Sequence, residues 1–274
     1  RCKMNSQPIG FLDSGVGGLS VVKEFMRELP NENILFIGDS ARNPYGNRTK
    51  EEVIQYSREL SQFLLKKEIK MLVIACNTAT AAALDLLKKE LTIPVIGVIE
   101  PGSRSAVKHS KNGEIAVIGT VRTIESGEHQ QHINALNPLA KVHSLAVPKF
   151  VDMVEDNELT GHHAEQVIEE ELKGFKDTNI DTLILACTHY PLLANLIQNY
   201  FGEKIQLIDP AIASVKLIRN YLIENNLLNK ETNKMRSSIF YTTAQKDKFE
   251  KIARNWIPIG QFEVKQISVE ELKK

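Results

Sequence analysis

The chain has 274 residues, 42% hydrophobic and 25% charged, a composition that excludes disorder and fibrous repeats and allows a substantial buried core. Its 34 basic residues balance 34 acidic ones, so the electrostatic footprint of a nucleic-acid or anionic-membrane binder is absent. Apolar runs such as 71–75 and 183–186 are strand-sized, well short of the ~20 residues that a membrane-spanning helix needs.

In chain order, residues 9–12 read as a strand and 19–29 as a helix, joined by a glycine turn. A strand at 33–37 precedes a helix over 51–67, whose Val53, Tyr56, Leu60, Phe63 and Leu64 share one face. Next come a strand at 71–75, a helix over 79–90 and a strand at 93–96. The strands are continuously apolar rather than alternating, which predicts a parallel sheet covered by helices on both faces. Residues 100–113, bounded by Pro101-Gly102 and Asn112-Gly113, are the expected crossover between two structural units.

The rhythm then restarts: strand 115–119, helix 124–134, strand 141–146, helix 162–175, strand 182–186, helix 192–200 and strand 205–208. The tail predicts a helix over 211–224, a strand near 238–241, a helix with Phe249, Ile252, Ala253, Trp256 and Ile257 at helical spacing, and a strand near 262–267. Trp256 is expected in the core on that stripe. The fold expected is α/β, with two similar parallel-sheet domains related by a pseudo-two-fold axis and a site in the cleft between them. Residues 1–98 with 209–274 form the first domain and 99–208 the second.

An internal repeat sharpens this division. Ile69-Lys-Met-Leu-Val-Ile-Ala-Cys76 aligns without gaps against Ile180-Asp-Thr-Leu-Ile-Leu-Ala-Cys187, with Asn77-Thr78 opposite Thr188-His189. Ligands of open α/β sheets bind beyond the carboxyl ends of the strands, against the N-termini of the following helices. Both cysteines stand there, where a helix end is expected to lower a thiol pKa and to favour a carboxylate ligand. A lone strand-end cysteine is ordinarily packing; the equivalent placement of Cys76 and Cys187 argues against that here. A metal site or redox pair has little support, since neither cysteine has a CxxC or HxxxH partner. Cys2 is the bystander of the three cysteines. That odd count, and an N-terminus Arg1-Cys2-Lys3-Met4 without an apolar secretory stretch, predict a cytoplasmic protein with Met4 as its natural start.

Asp13-Ser14-Gly15-Val16-Gly17-Gly18 follows the first strand where a phosphate loop would sit, but it lacks the lysine of that motif and fails the dinucleotide pattern. Asp13 or Ser14 capping the helix is the plainer alternative. Asp39 to Gly46 closes the second strand with Pro44-Tyr45-Gly46, where Tyr45 offers a backbone or phenol contact. Thr120 is the second-half counterpart of Asp13-Ser14. His189, beside Cys187, is placed to exchange protons near neutral pH, although a histidine at a helix start is commonly a surface residue. Two thiols flanking a small anion fit stereoinversion by two bases: one thiolate removes an α-proton, and the opposing thiol returns one to the other face.

These motifs, Asp-Ser-Gly-Val-Gly-Gly, Pro-Tyr-Gly, Ala-Cys-Asn-Thr-Ala-Thr and Ala-Cys-Thr-His-Tyr-Pro, resemble the signatures of the glutamate racemases in the aspartate/glutamate racemase family, over residues 9 to about 267. The resemblance implies a cofactor-independent, cytoplasmic, homodimeric enzyme that interconverts L- and D-glutamate for bacterial peptidoglycan and cell-wall synthesis. It implies catalytic roles for Cys76 and Cys187, assisted by Asp13, His189 and Glu155. Substrate contacts fall on Asp13, Ser14, Pro44, Tyr45, Gly46, Asn77, Thr78, Thr120, Thr188 and His189, with no metal. Ala186 and Asn43 depart from the family pattern, which often has glycine at the first position and cysteine or an apolar residue at the second. Competing readings are an aspartate racemase of the same fold, a non-catalytic amino-acid binding module and, least supported, a nucleotide-binding regulator.

Overall fold

A computed structural model of the protein describes residues 5–231, 238–258 and 260–274. Cys2 and Met4 lie outside the described residues. The first half alternates β1 (Ile9–Asp13), α1 (Leu19–Glu28), β2 (Ile34–Gly38), α2 (Lys50–Leu65), β3 (Met71–Ile74), α3 (Asn77–Glu90), β4 (Val95–Gly97) and α4 (Ile99–His109). It continues with β5 (Glu114–Gly119), α5 (Val121–Ser126), α6 (Glu128–Leu136), β6 (Lys141–Ala146), α7 (Lys149–Glu155), α8 (His162–Leu172), β7 (Thr182–Ala186), α9 (Ala194–Phe201) and β8 (Gln206–Ile208). The tail adds α10 (Pro210–Glu224), β9 (Ser238–Thr242), α11 (Lys246–Trp256), β10 (Glu263–Gln266) and α12 (Val269–Leu272).

Two parallel sheets result, ordered β10-β9-β2-β1-β3-β4 and β6-β5-β7-β8. The repeat found around the cysteines therefore extends to topology: β2-β1-β3-β4 in one lobe matches β6-β5-β7-β8 in the other, and β9 and β10 extend the first sheet beyond β2. Every residue of β1, β2, β3 and β7 is buried, as strands covered on both faces require. One face of the first sheet packs Phe11, Val73 and Phe240 against α1 and α10; the other packs Leu12, Leu72 and Ile74 against α2 and α3. The strand order reverses between β1 and β3 and between β5 and β7, and at such switch points a crevice opens beyond the strand ends.

The strand that starts each repeat is anchored by a charged residue at the same position, of opposite sign in the two copies. Lys70 donates to Glu32 and to the carbonyls of Asn5 and Leu227. Its counterpart Asp181 accepts from Ser110 Oγ and from the amides of Lys111 and Asn112.

Several local expectations are corrected. Residues 100–113 are largely helical: Pro101 falls in the first turn of α4, where a missing N–H costs nothing, and Gly102 lets α4 approach Pro210 of α10. The helix expected over 124–134 is two helices, broken at Gly127, which adopts the left-handed conformation. The segment before Glu155 is helix α7, buried through Phe150, Val151, Met153 and Val154. A 3-10 turn, Tyr190–Leu193, precedes α9. Trp256 is only half-buried and packs against the cores of both lobes, so it is a contact between them rather than a core residue.

Candidate active site

The carboxyl ends of β1, β3, β5 and β7 face one small cavity of about 20 Å³, room for roughly one water molecule. From the first lobe it is lined by Ser14, Pro44, Tyr45, Gly46, Cys76, Asn77 and Thr78; from the second, by Thr120, Cys187, Thr188 and His189. Asp13 and Glu155 stand behind this lining, one attached to each half.

Cys76 lies between β3 and α3 as the N-cap residue of the helix. Its Sγ accepts the Ala79 N–H at 3.4 Å, so the sulfur itself caps the helix. Burial, followed by the nearby Asp13 carboxylate, pushes the thiol up to about 12 and outweighs the Ala79 N–H. The expectation that the helix end lowers this thiol pKa is corrected: in the closed cleft Cys76 is a neutral thiol. Asp13 is wholly buried, and its Oδ2 accepts the N–H groups of Gly15 and Gly18, both at 3.0 Å. Burial raises its pKa, against the opposing charge of His189. The glycine loop thus spends these amides on its own aspartate, which removes the phosphate-loop reading.

Its glycines serve closeness instead. A Cβ on Gly18 would stand 2.5 Å from the Asp13 Cβ, and one on Gly17 would stand 2.3 Å from Thr188 Oγ1 of the other lobe. Likewise a Cβ on Gly46 would meet the Thr120 Cβ at 2.7 Å. Three hydroxyls close the same seam: Thr78 Oγ1 lies 2.9 Å from Thr120 Oγ1 and 3.0 Å from Thr123 Oγ1.

In the second lobe Cys187 Sγ lies 3.7 Å from His189 Nδ1, and the opposite ring nitrogen lies 2.8 Å from Glu155 Oε1. Burial pushes His189 down, but its bonds to Cys187 and Glu155 together outweigh burial and raise it to about 10. His189 is therefore no surface residue; it is 3% exposed and held as an imidazolium at neutral pH. Its hydrogen bond holds the Glu155 carboxyl below the ordinary range against partial burial. The two thiols thus differ in their surroundings, Cys76 beside a buried carboxyl group and Cys187 beside a charged imidazole.

Tyr45 and Gly46 both line the cavity, and the Tyr45 phenol donates to Asp39 Oδ2. Asp39 also accepts from Arg42 Nε at 2.7 Å and Thr243 Oγ1 at 2.9 Å, a buried brace that sequence reasoning missed. Thr123 and Val151 were missed as well: neither belongs to a motif, and each is brought to the site by a helix. Asp13 Oδ1 and Asn77 Oδ1 are buried acceptors that meet no donor among the described residues.

Residues 14–218 match the model of the Asp/Glu/Hydantoin racemase family. The chain is 49% identical over 267 residues to the glutamate racemase of Carnobacterium sp. (strain St2), covering 97% of this chain and 100% of that one. It resembles the crystal structure of a glutamate racemase isoform from Bacillus anthracis, with TM-score 0.90 and 41% identity over 96% of this chain and 98% of that one. The glutamate racemase from Francisella tularensis, solved in complex with D-glutamate, matches with TM-score 0.89 and 36% identity over 96% and 98%.

Proposed function

The chain belongs to the Asp/Glu/Hydantoin racemase family, and from that membership we propose that it interconverts L- and D-glutamate by a two-base reaction at Cys76 and Cys187. The observation that carries the proposal is a pair of thiols on one closed cavity, contributed by two lobes, each with its own ionisable partner. In one direction Cys187, as thiolate, takes the α-proton: the Cα–H bond breaks, an S–H bond forms, and the electron pair stays on the substrate, delocalised into its carboxylate. The Cys76 thiol then gives its proton to the opposite face of Cα and is left as thiolate, ready for the reverse reaction.

Each partner fits a role. The His189 ring, held by Glu155, stands against Cys187 Sγ, in place to exchange a proton with it. Asp13, whose pKa burial raises, is placed to take up the proton when Cys76 becomes the base. The buried acceptors Asp13 Oδ1 and Asn77 Oδ1 suit the α-ammonium. Donors from Ser14, Thr78, Thr120 and Thr188, with the backbone N–H groups of Tyr45 and Gly46 and the N-terminus of α3, suit the carboxylates, and Pro44 lines the cavity beside them. Thiol acid-base chemistry of this kind calls for no cofactor. A cavity near the size of one water requires the lobes to part for substrate and to close over it, which aligns the reacting atoms and excludes solvent.

The proposal extends to a cytoplasmic homodimer that supplies D-glutamate for peptidoglycan, with residues 1–98 and 209–274 as one lobe of the clamp and 99–208 as the other. The relatives' names favour glutamate over aspartate as substrate. Incubation with glutamate in D₂O tests the reading: one deuterium at Cα accompanies loss of optical rotation, and both are abolished in Cys76→Ser and in Cys187→Ser. Full activity in either variant overturns the mechanism. Faster turnover of aspartate overturns the substrate, and saturable binding without exchange indicates a binding module.

A further inference from the structure

We propose that Lys248 is a positioning residue for the proton transfer at Cys187, acting across the lobes through Glu155; this rests on the two-thiol reading above. Lys248 belongs to the first turn of α11, in the tail whose strands extend the first sheet, whereas Glu155 ends α7 in the other lobe. Lys248 Nζ lies 3.6 Å from Glu155 Oε2. The other carboxylate oxygen holds His189 Nε2 at 2.8 Å, and His189 Nδ1 reaches Cys187 Sγ at 3.7 Å. An unbroken run of side chains therefore leads from the tail of the chain to a reacting sulfur of the opposite lobe.

The location of Lys248 is not explained by its own helix. A cation in the first turn opposes the helix dipole, so the lysine weakens α11 locally unless something outside the helix receives it. Nor is it a packing residue, because its side chain is 53% exposed. Lys248 and Glu155 line a common cavity of about 210 Å³ with Ser40 and Asn43, and Asn43 also lines the catalytic cavity. The ion pair thus stands at the rim where the lobes meet.

Its function follows from the geometry of a carboxylate. Glu155 has two equivalent oxygens on a rotatable stem, and the imidazole requires one of them at a fixed place. A cation on Oε2 fixes the rotation that points Oε1 at His189, and it does so only while the tail and the second lobe are together. Orientation of the imidazole toward Cys187 is thereby linked to closure.

The test uses the symmetry of the reaction. L- and D-glutamate have equal free energies, so kcat/KM must be equal in the two directions for every variant, but the proton transfer that limits the rate can change. In Lys248→Ala we expect kcat/KM to fall about three- to fivefold, as for an exposed ion pair. With α-deuterated substrates the primary isotope effect should rise for the enantiomer deprotonated by Cys187 and fall for the other. Lys248→Arg should restore both quantities, and Lys248→Ala should add nothing in a Glu155→Gln background. Unchanged kcat/KM, a loss with unaltered isotope effects, or additivity with Glu155→Gln would overturn the role of Lys248. If the wild-type protein exchanges no α-deuterium, the two-thiol reading itself fails.

Discussion

Gly17 of the first lobe faces Thr188 of the second so closely that a Cβ on Gly17 would lie 2.3 Å from the threonine Oγ1 and 2.9 Å from His189 Nδ1. Across the same cleft Gly46 stands against Thr120. These two glycines set how near the lobes come, and hence how near Cys76 comes to Cys187. The glycine loop, at first sight a nucleotide feature, is a surface along which the two lobes touch.

Substitution of Gly17 by alanine separates closure from folding. Gly17 is not among the residues with positive φ, so its backbone accepts alanine, and the three atoms nearest the added methyl all belong to the opposite lobe. We expect a melting temperature within a few degrees of wild type and a kcat/KM lower by about a hundredfold, the cost of roughly 1 Å of misplacement at reacting atoms. Steady-state kinetics beside a thermal melt checks this. Wild-type kcat/KM in Gly17→Ala would mean that the lobes do not react in this closed arrangement.

Cys76 should be nearly inert to alkylation without substrate. With its pKa pushed up to about 12 from 9.0, the thiolate fraction at pH 8 is about a thousandfold below that of the unfolded chain. Iodoacetamide labelling followed by peptide mass spectrometry, in buffer and in urea, measures this ratio residue by residue. Equal rates in the two media would mean that the Cys76 thiol keeps its ordinary pKa and is not held protonated by burial.

Two buried histidines are displaced in opposite directions, and together they shape the pH dependence of stability. For His189, burial lowers the pKa, but Cys187 and Glu155 raise it to about 10 from 6.5. Between those values the folded protein keeps a proton that the unfolded chain has lost. This contribution is complete below pH 6.5 and is lost as pH rises to about 10. His129, on α6, is pushed down to about 3 by burial and by His132. There the unfolded chain binds the extra proton, so stability is complete above pH 6.5 and is lost as pH falls toward 3. The urea midpoint should peak near pH 6.5, with His129→Gln flattening the acid side and His189→Asn the alkaline side. An unchanged profile in both variants would remove these groups as its source.

Most strands were legible because burial on both faces writes them as continuous apolar runs, and the cysteines because the repeat places them at equivalent strand ends. Helix α7 was not: its buried Phe150, Val151, Met153 and Val154 fall within seven residues, too few for a helical stripe to emerge. Helix α4 was hidden by Pro101-Gly102, a pair that reads as a turn until Pro210 is seen against the glycine. Within the site, residues next to a strand end could be named, but the brace behind Tyr45 could not. Asp39 and Thr243 are 204 positions apart, and only the addition of β9 beside β2 brings them together. The raised pKa of Cys76 was equally hidden, since a helix end can be read from a motif whereas the extent of burial around the sulfur cannot.

The opposite ends of the strands, away from the candidate site, hold a buried ion pair whose loss should destabilise the protein without altering the activity of the folded form. Lys70 Nζ and Glu32 Oε2 are 2.6 Å apart, with side chains 1% and 2% exposed. The ammonium also donates to the carbonyls of Asn5 and Leu227 at 2.7 and 2.8 Å, which accounts for its three protons. The second Glu32 oxygen accepts the Asn229 amide at 2.8 Å. One amine thus ties the segment before β1, the approach to β2, the start of β3 and the connection after α10. Burial lowers the Lys70 pKa, and Glu32 opposes this. Lys70→Met leaves the Glu32 carboxylate buried without its cation and two carbonyls without a donor, so urea unfolding should show a loss of about 3–5 kcal/mol. Pairing Lys70→Met with Glu32→Leu should recover much of that loss, because the stranded charge is gone. Since the proposed reacting groups, Cys76 and Cys187, lie beyond the carboxyl ends of the strands, kcat/KM of the folded fraction should remain at the wild-type value. A loss below about 1 kcal/mol would mean that water reaches this pair and that the strand ends are held by packing alone.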